Sequence, residues 1–182
     1  MGFKLDAMMG KYKDFARGYL FYAEVIPPSG IGIQSNHPYL VKSASLPKQT
    51  IEVSEVDWQG NKFKFANTST FDTFAITFRS DDVQSLRREF LGWMNKIHNP
   101  VSNVHGYPGD YMGTVDLTQL NPQGDPIMSY KLVNAFPSDV AEIGLDYGTK
   151  DPSEFAVTFT YQYHVIDTII PGTPANAVSL PD

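Results

Sequence analysis

The sequence predicts a mainly β fold: a two-sheet β-sandwich or partly open barrel with one flanking α-helix at about 81–99. Three observations carry this reading. Short runs rich in aromatic and β-branched residues recur along the chain, separated by Gly, Pro and Asn clusters. One segment alone shifts to helical period, with Val83, Leu86, Phe90, Trp93 and Ile97 on one face. The clearest alternation, Phe155, Val157, Phe159, Tyr161, Tyr163 and Val165, marks a long strand with one wholly apolar face.

Taken in order, residues 1–18 are a basic-leaning segment with Lys11, Lys13 and Arg17, expected as a short helix or an N-terminal arm. Tyr19 to Ile26 is the first strand, stopped by Pro27-Pro28. A loop over Ser29 to Pro38 leads to a second strand, Tyr39 to Leu46, ended by Pro47. Thr50 to Trp58 and Lys62 to Ala66 flank Gln59-Gly60-Asn61, a hairpin signal. Phe71 to Arg79 buries Phe74, Ile76 and Phe78 on one face. In the helix that follows, Ser80 or Asp81 is the N-cap and Gln84 completes a capping box. Asp81 and Asp82 suit the positive end of the helix dipole, Lys96 suits the negative end, and Asn99-Pro100 stops it. Beyond a loop over Val101 to Gly109, Tyr111 to Leu120 and Ile127 to Val133 are strands. Phe136-Pro137-Ser138 is a corner, and Ile143, Leu145 and Tyr147 alternate along a short strand. The last strand, Phe155 to Val165, has a second face of Ala156, Thr158, Thr160, Gln162 and His164. A face without charge is expected to be covered by the same chain or a neighbour. The chain thus divides into the arm, a β body over 19–167 and an extended tail over 168–182 rich in Pro.

Composition narrows the function. The chain has 182 residues, enough for one domain with its own core. Lys and Arg number 14 against 20 Asp and Glu, a net charge of −6. Such a surface repels nucleic acid on average and does not suit a DNA-gripping protein. The absence of cysteine excludes disulfides, thiolate catalysis and thiolate zinc sites. No run has the length of a signal-peptide core or a bilayer span, so synthesis in a cytosol and no membrane insertion are expected.

Candidate chemistry is sparse. His98 and His105 flank a loop, but their spacing fits no metal signature and they are read as solvent-facing. His164 is read as a hydrogen-bonded interface residue. No Gly-x-Ser-x-Gly elbow or Walker loop is present, and Gly30-Ile31-Gly32 lacks the rest of a dinucleotide fingerprint. Glu52, Glu55 and Asp57 lie on one strand, with Glu52 and Glu55 on opposite faces, which does not suit a convergent carboxylate pair. The 12 Phe, 10 Tyr and 2 Trp sit mostly at core positions, leaving Tyr107 and Tyr111 as candidates for a sugar-binding platform. Catalytic, cofactor and metal residues are therefore not assigned. A structural subunit, an isolated β binding module and an enzyme remain as classes, with the structural subunit favoured.

Three segments together resemble the tail tube proteins of contractile-tailed bacteriophages. They are Asp14-Phe15-Ala16-Arg17 with Leu20-Phe21; Thr70-Phe71-Asp72-Thr73-Phe74 with Ile76-Thr77-Phe78, Ser80-Asp81-Asp82 and Trp93; and Ala135 to Tyr147 ahead of Phe155 to Tyr163. The resemblance spans about Asp14 to Tyr163 and is most specific in the last segment. It implies a small two-sheet sandwich with one helix, six copies per ring, and rings stacked into a tube. It further implies a tail sheath around the tube, baseplate and tail-terminator partners, transient passage of DNA, and a place in the virion tail after assembly in the host cytoplasm. Bacteriocin and contractile injection or secretion tubes share the implied fold and stay as alternatives. On this reading Glu52, Glu55 and Asp57 are candidates to face the lumen. Phe15, Arg17, Trp58, Lys62 and Phe63 are candidates for contact between rings.

Overall fold

A computed structural model of the chain describes residues 16–167. Phe15, most of the 1–18 arm and the 168–182 tail lie outside the described residues.

The strands are β1 (Phe21–Ile26), β2 (Val41–Ala44), β3 (Gln49–Trp58), β4 (Asn61–Phe71), β5 (Phe74–Arg79), β6 (His98–Asn99), β7 (Val104–His105), β8 (Gly113–Leu120), β9 (Pro126–Val140), β10 (Glu154–Thr160) and β11 (Tyr163–Asp167). The helices are α1 (Ser85–Ile97) and the single turn α2 (Pro108–Tyr111). One antiparallel layer runs β1-β8-β9-β11, and a second runs β9-β10-β5-β2. The 15-residue β9 belongs to both layers, so the two-sheet prediction holds and the sandwich is hinged along a shared strand. The hinge has a visible cause. Asn134 takes a positive φ of 56°, and its side-chain amide donates to Gln162 Oε1 at 2.7 Å where the chain leaves β10 for β11. Both chains bend at one place.

Strand alternation fills the core. Ala23 and Val25 of β1, Val115 and Leu117 of β8, Phe74, Ile76 and Phe78 of β5, and Phe155, Val157 and Phe159 of β10 all face inward. Helix α1 closes the open side with Leu86, Phe90 and Trp93. Phe90 lies 5.4 Å from Phe78 and 6.4 Å from Trp93 between ring centroids, and Phe159 meets both Phe90 and Trp93 edge-on. Trp93 is fully buried, and its Nε1–H donates to the Tyr111 carbonyl at 2.8 Å. Gly113 opens β8 where a Cβ would lie 2.5 Å from the Ile26 carbonyl oxygen, so a bare backbone is required there. Buried His37 acts as a backbone substitute: Val25 N–H donates to its Nε2 at 2.9 Å, and its Nδ1 meets the Gln34 carbonyl at 2.6 Å.

Several expectations are corrected. Tyr39 and Leu40 belong to a 3-10 turn (His37–Leu40), not to the second strand, because Pro38 at its start favours a turn. The Phe136-Pro137-Ser138 corner does not break the chain; it is a bend inside β9, with a register shift against β10. Ile143, Leu145 and Tyr147 form no strand, and Leu145 and Tyr147 are fully exposed on a loop. The strand drawn over Phe155 to Val165 is two strands in different layers.

The helix starts four residues later than predicted. Val83 is exposed, and Gln84 adopts a left-handed conformation with φ 50°. Asp81 still caps: its Oδ2 accepts from the Ser85 backbone N–H at 3.2 Å and from the Ser85 hydroxyl. These hydrogen bonds, the Ser85 hydroxyl first, hold the Asp81 carboxyl below its ordinary value. A carboxylate with a depressed folded-state pKa stabilises the fold above its unfolded pKa, and that contribution disappears as pH falls through the folded value. Asp81→Ala is expected to lower stability by about 1 kcal/mol at neutral pH. Urea unfolding at a series of pH values should show the gap between the two proteins closing below about pH 4.

Candidate functional site

The β3–β4 hairpin stands apart from both layers and pairs only with itself among the described residues. Its turn is Gln59-Gly60, with φ of 50° and 84°, the two positive values that a tight two-residue hairpin loop requires. Nearly every residue along it is exposed on both faces. A free two-stranded ribbon of this length is marginal in water, so its geometry points to a partner outside the single chain.

The register sorts the side chains. Directly opposed residues share a face. Val56 opposes Phe63, and Ser54 opposes Phe65, with Trp58 next in line on the same side. That face is apolar, yet Trp58 is 64% and Phe63 58% exposed. Asp57 opposes Lys62 and Glu55 opposes Lys64 on the other face. Glu55 binds both lysines, at 3.1 Å to Lys64 and 3.5 Å to Lys62. The structure therefore brings Glu55 and Asp57 together with Lys62, and places Trp58 with Phe63. Alternation along β3 parts Glu52 from Glu55, as predicted; Glu52 sits beside a bulge where β4 has an extra residue between Ala66 and Ser69. Arg17 lies far along the chain from this arm, with a guanidinium N–H donating to the Tyr19 hydroxyl at 3.1 Å.

The base of the arm is held to the body. Lys48 and Asp72 pair at 2.9 Å, and the Tyr161 hydroxyl donates to the Lys48 carbonyl at 3.5 Å. Phe71 packs edge-on against His164 at 5.3 Å, with Tyr130 and Tyr161 around the same imidazole. His164 was expected to be hydrogen-bonded. Instead its Nδ1 is buried without a partner among the described residues, and burial pushes the imidazole below its ordinary pKa. Neutral His164 is thus an aromatic wedge under the arm.

Further exposed features follow from the topology. Within the described residues β1, β11 and β2 each pair on one side only, leaving open sheet edges. A surface cleft of about 780 Å³ is lined by Lys42, Arg79, Asp146, Asp151 and Glu154 among others. No group of three or more His, Asp or Glu positioned for a metal occurs among the described residues. Of the sugar-platform candidates Tyr107 is exposed, while Tyr111 packs edge-on against Phe136 in the body.

Open sheet edges and a projecting arm exposed on both faces are features that suit the class of β subunits that pair with other chains. The chain belongs to the phage tail tube protein family, whose match covers residues 21–167. Among solved structures it is similar to a chain of the sheath–tube complex of an extracellular contractile injection system in its extended state. That pair is 17% identical, covers 92% of this chain and 100% of the other, and has a TM-score of 0.63. The anti-feeding prophage tube-terminating cap gives 17% identity over 87% of this chain and 94% of the other, with a TM-score of 0.67. A chain of the anti-feeding prophage baseplate gives 16% identity over 84% and 95%, with a TM-score of 0.61. At these identities the likeness is one of fold. Comparison with the curated proteins finds no match. The protein is a structural tube subunit, as the resemblance in three sequence segments implied.

Proposed function

We propose that six copies of this chain form a ring, that rings stack into a phage tail tube, and that the lumen conducts DNA during ejection. The observation that carries the reading is the tail tube family match across the whole described body, joined to an arm exposed on both faces. Open edges at β1 and β11 of one layer suit ring closure by strand pairing, which removes the edges around the circumference. The apolar face with Trp58 and Phe63 suits contact with the next ring, and Arg17 is a separate candidate for such contact. Sheath, baseplate and terminator proteins are the partners on this reading. The particle is the virion tail, assembled in host cytoplasm.

A lumen for DNA must not hold phosphates. Glu55 and Asp57 line the charged face of the arm, with Glu52 on its reverse. Lys62 and Lys64 are both engaged by Glu55, so that face carries balanced charge and offers no free cationic track. A second reading is the inner tube of a contractile injection system, favoured by the fold likeness to such a sheath–tube complex.

The test is electron microscopy of the purified chain beside a variant with Glu55 and Asp57, the two acids of the charged face, changed to Lys. Six-fold rings or hollow tubes are expected from both. In phage carrying the variant, slowed and salt-dependent DNA release is expected, because Lys62 and Lys64 are set free toward the phosphates. A monomer at every concentration, even with a nucleating baseplate, overturns the tube. Normal infectivity of the variant overturns the lumen assignment alone.

A further inference from the structure

Six residues separate His98 from His105, a spacing without a metal signature, yet the fold stacks them. His98 ends the α1 segment and His105 returns beside it, directly opposed across the two-residue β6–β7 ladder. Their ring centroids lie 4.3 Å apart with planes 28° from parallel. Such opposed positions bring side chains closest when no ladder bond joins the pair. The Gly106 N–H donates to the Ile97 carbonyl at 3.0 Å, one residue outside the histidines, which is the arrangement that leaves them unbonded to each other.

The loop that sets this geometry is tightly made. Asn99 Oδ1 accepts from Val101 N–H at 2.9 Å and Ser102 N–H at 3.3 Å, while Asn103 N–H donates to the Asn99 carbonyl at 2.8 Å. Gly106 passes so near the end of α1 that a Cβ would meet the Lys96 carbonyl oxygen at 2.4 Å. Asn103, in a left-handed conformation with φ 53°, presents its Oδ1 3.2 Å from His98 Nε2. An amide oxygen only accepts, so His98 donates its Nε2–H and keeps the Nδ1 lone pair free. Metal-ligating histidines are commonly oriented by such a hydrogen bond on their other ring nitrogen.

We propose that His98 and His105 form a two-imidazole site for a divalent transition metal ion of the copper, nickel or zinc type. Imidazole suits these ions, and carboxylate-preferring calcium and magnesium find no oxygen cage here. His105 is exposed, so a rotation of its ring brings one nitrogen from each histidine to within about 2.0–2.1 Å of a shared ion. Water completes the coordination. Asn103 is a positioning residue that fixes the tautomer and tilt of His98. The sequence could not show this pairing because the two histidines meet only through the chain reversal at 99–103.

The experiment is calorimetric titration of the full chain with zinc and nickel chloride, with electron paramagnetic resonance of the copper(II) form. One ion per chain and nitrogen hyperfine structure from two imidazoles are expected. His98→Ala and His105→Ala should each abolish that signature without shifting the thermal midpoint, since neither ring is in the core. Asn103→Ala should weaken binding roughly tenfold and leave two nitrogens on the copper. Absence of binding, or an isotherm unchanged in the double histidine variant, overturns the site. Unchanged affinity in Asn103→Ala overturns the positioning role.

Discussion

Replacing Trp58 and Phe63 with Asp produces a folded monomer that builds no tubes. Both side chains are exposed in the single chain, so removing them costs the monomer within about 0.5 kcal/mol. In the proposed ring-to-ring contact the same face is covered. Two buried carboxylates without partners then cost several kcal/mol per subunit, a cost repeated at every contact of a ring or stack. Circular dichroism and urea midpoints should match the parent chain, while light scattering and electron microscopy show monomers only. Normal tubes from this variant would place the arm outside the assembly. Loss of folding would instead show that the arm stabilises the body, through the Phe71 contact with His164 at its base.

Trp93→Ala is the most damaging single substitution expected in the body. Trp93 is fully buried, stacks on Phe90, meets Phe159 edge-on and supplies the Tyr111 carbonyl with its hydrogen bond. Truncation leaves a cavity in the seam between α1 and β10 and strands that carbonyl. The loss should reach about 3–5 kcal/mol, against a total stability of roughly 5–15 kcal/mol. Trp93→Phe retains much of the packing and loses the indole donor, so a smaller fall is expected. Urea unfolding of both variants separates the two contributions. A loss under about 1 kcal/mol for Trp93→Ala would contradict the role of α1 as the lid of the core.

What could be read from the residues follows their periodicities. Phe90 and Trp93 recur at helical spacing, and Gly60 marks a tight reversal, so α1 and the β3–β4 arm were visible in advance. Periodicity misleads where a pattern persists through a change of direction. Tyr161 and Tyr163 continue the alternation of Phe159 across the Gln162 bend, and nothing local marks the transfer to another layer. Ile143, Leu145 and Tyr147 alternate too, but no neighbouring strand receives them, and alternation without a ladder makes no strand. Gln84 satisfied the spacing of a capping box, yet the chain turns through it, and Asp81 caps from one turn further out. On the arm, the order of residues separated Glu52 from Glu55, but only the β3–β4 register could show that Lys62 and Lys64 neutralise Glu55.

By itself, the sequence determined that this chain is a β-rich body with one core-facing helix and a tight hairpin, because hydrophobic period and turn chemistry are local properties. It also carried the marks of the tail tube family. The tertiary structure alone decided that β9 serves two layers, that the arm keeps both faces in solvent, and that His98 meets His105. Each of those depends on which distant segments pair, and pairing is set by the closing of the whole core around Phe90 and Trp93, not by any one run of residues.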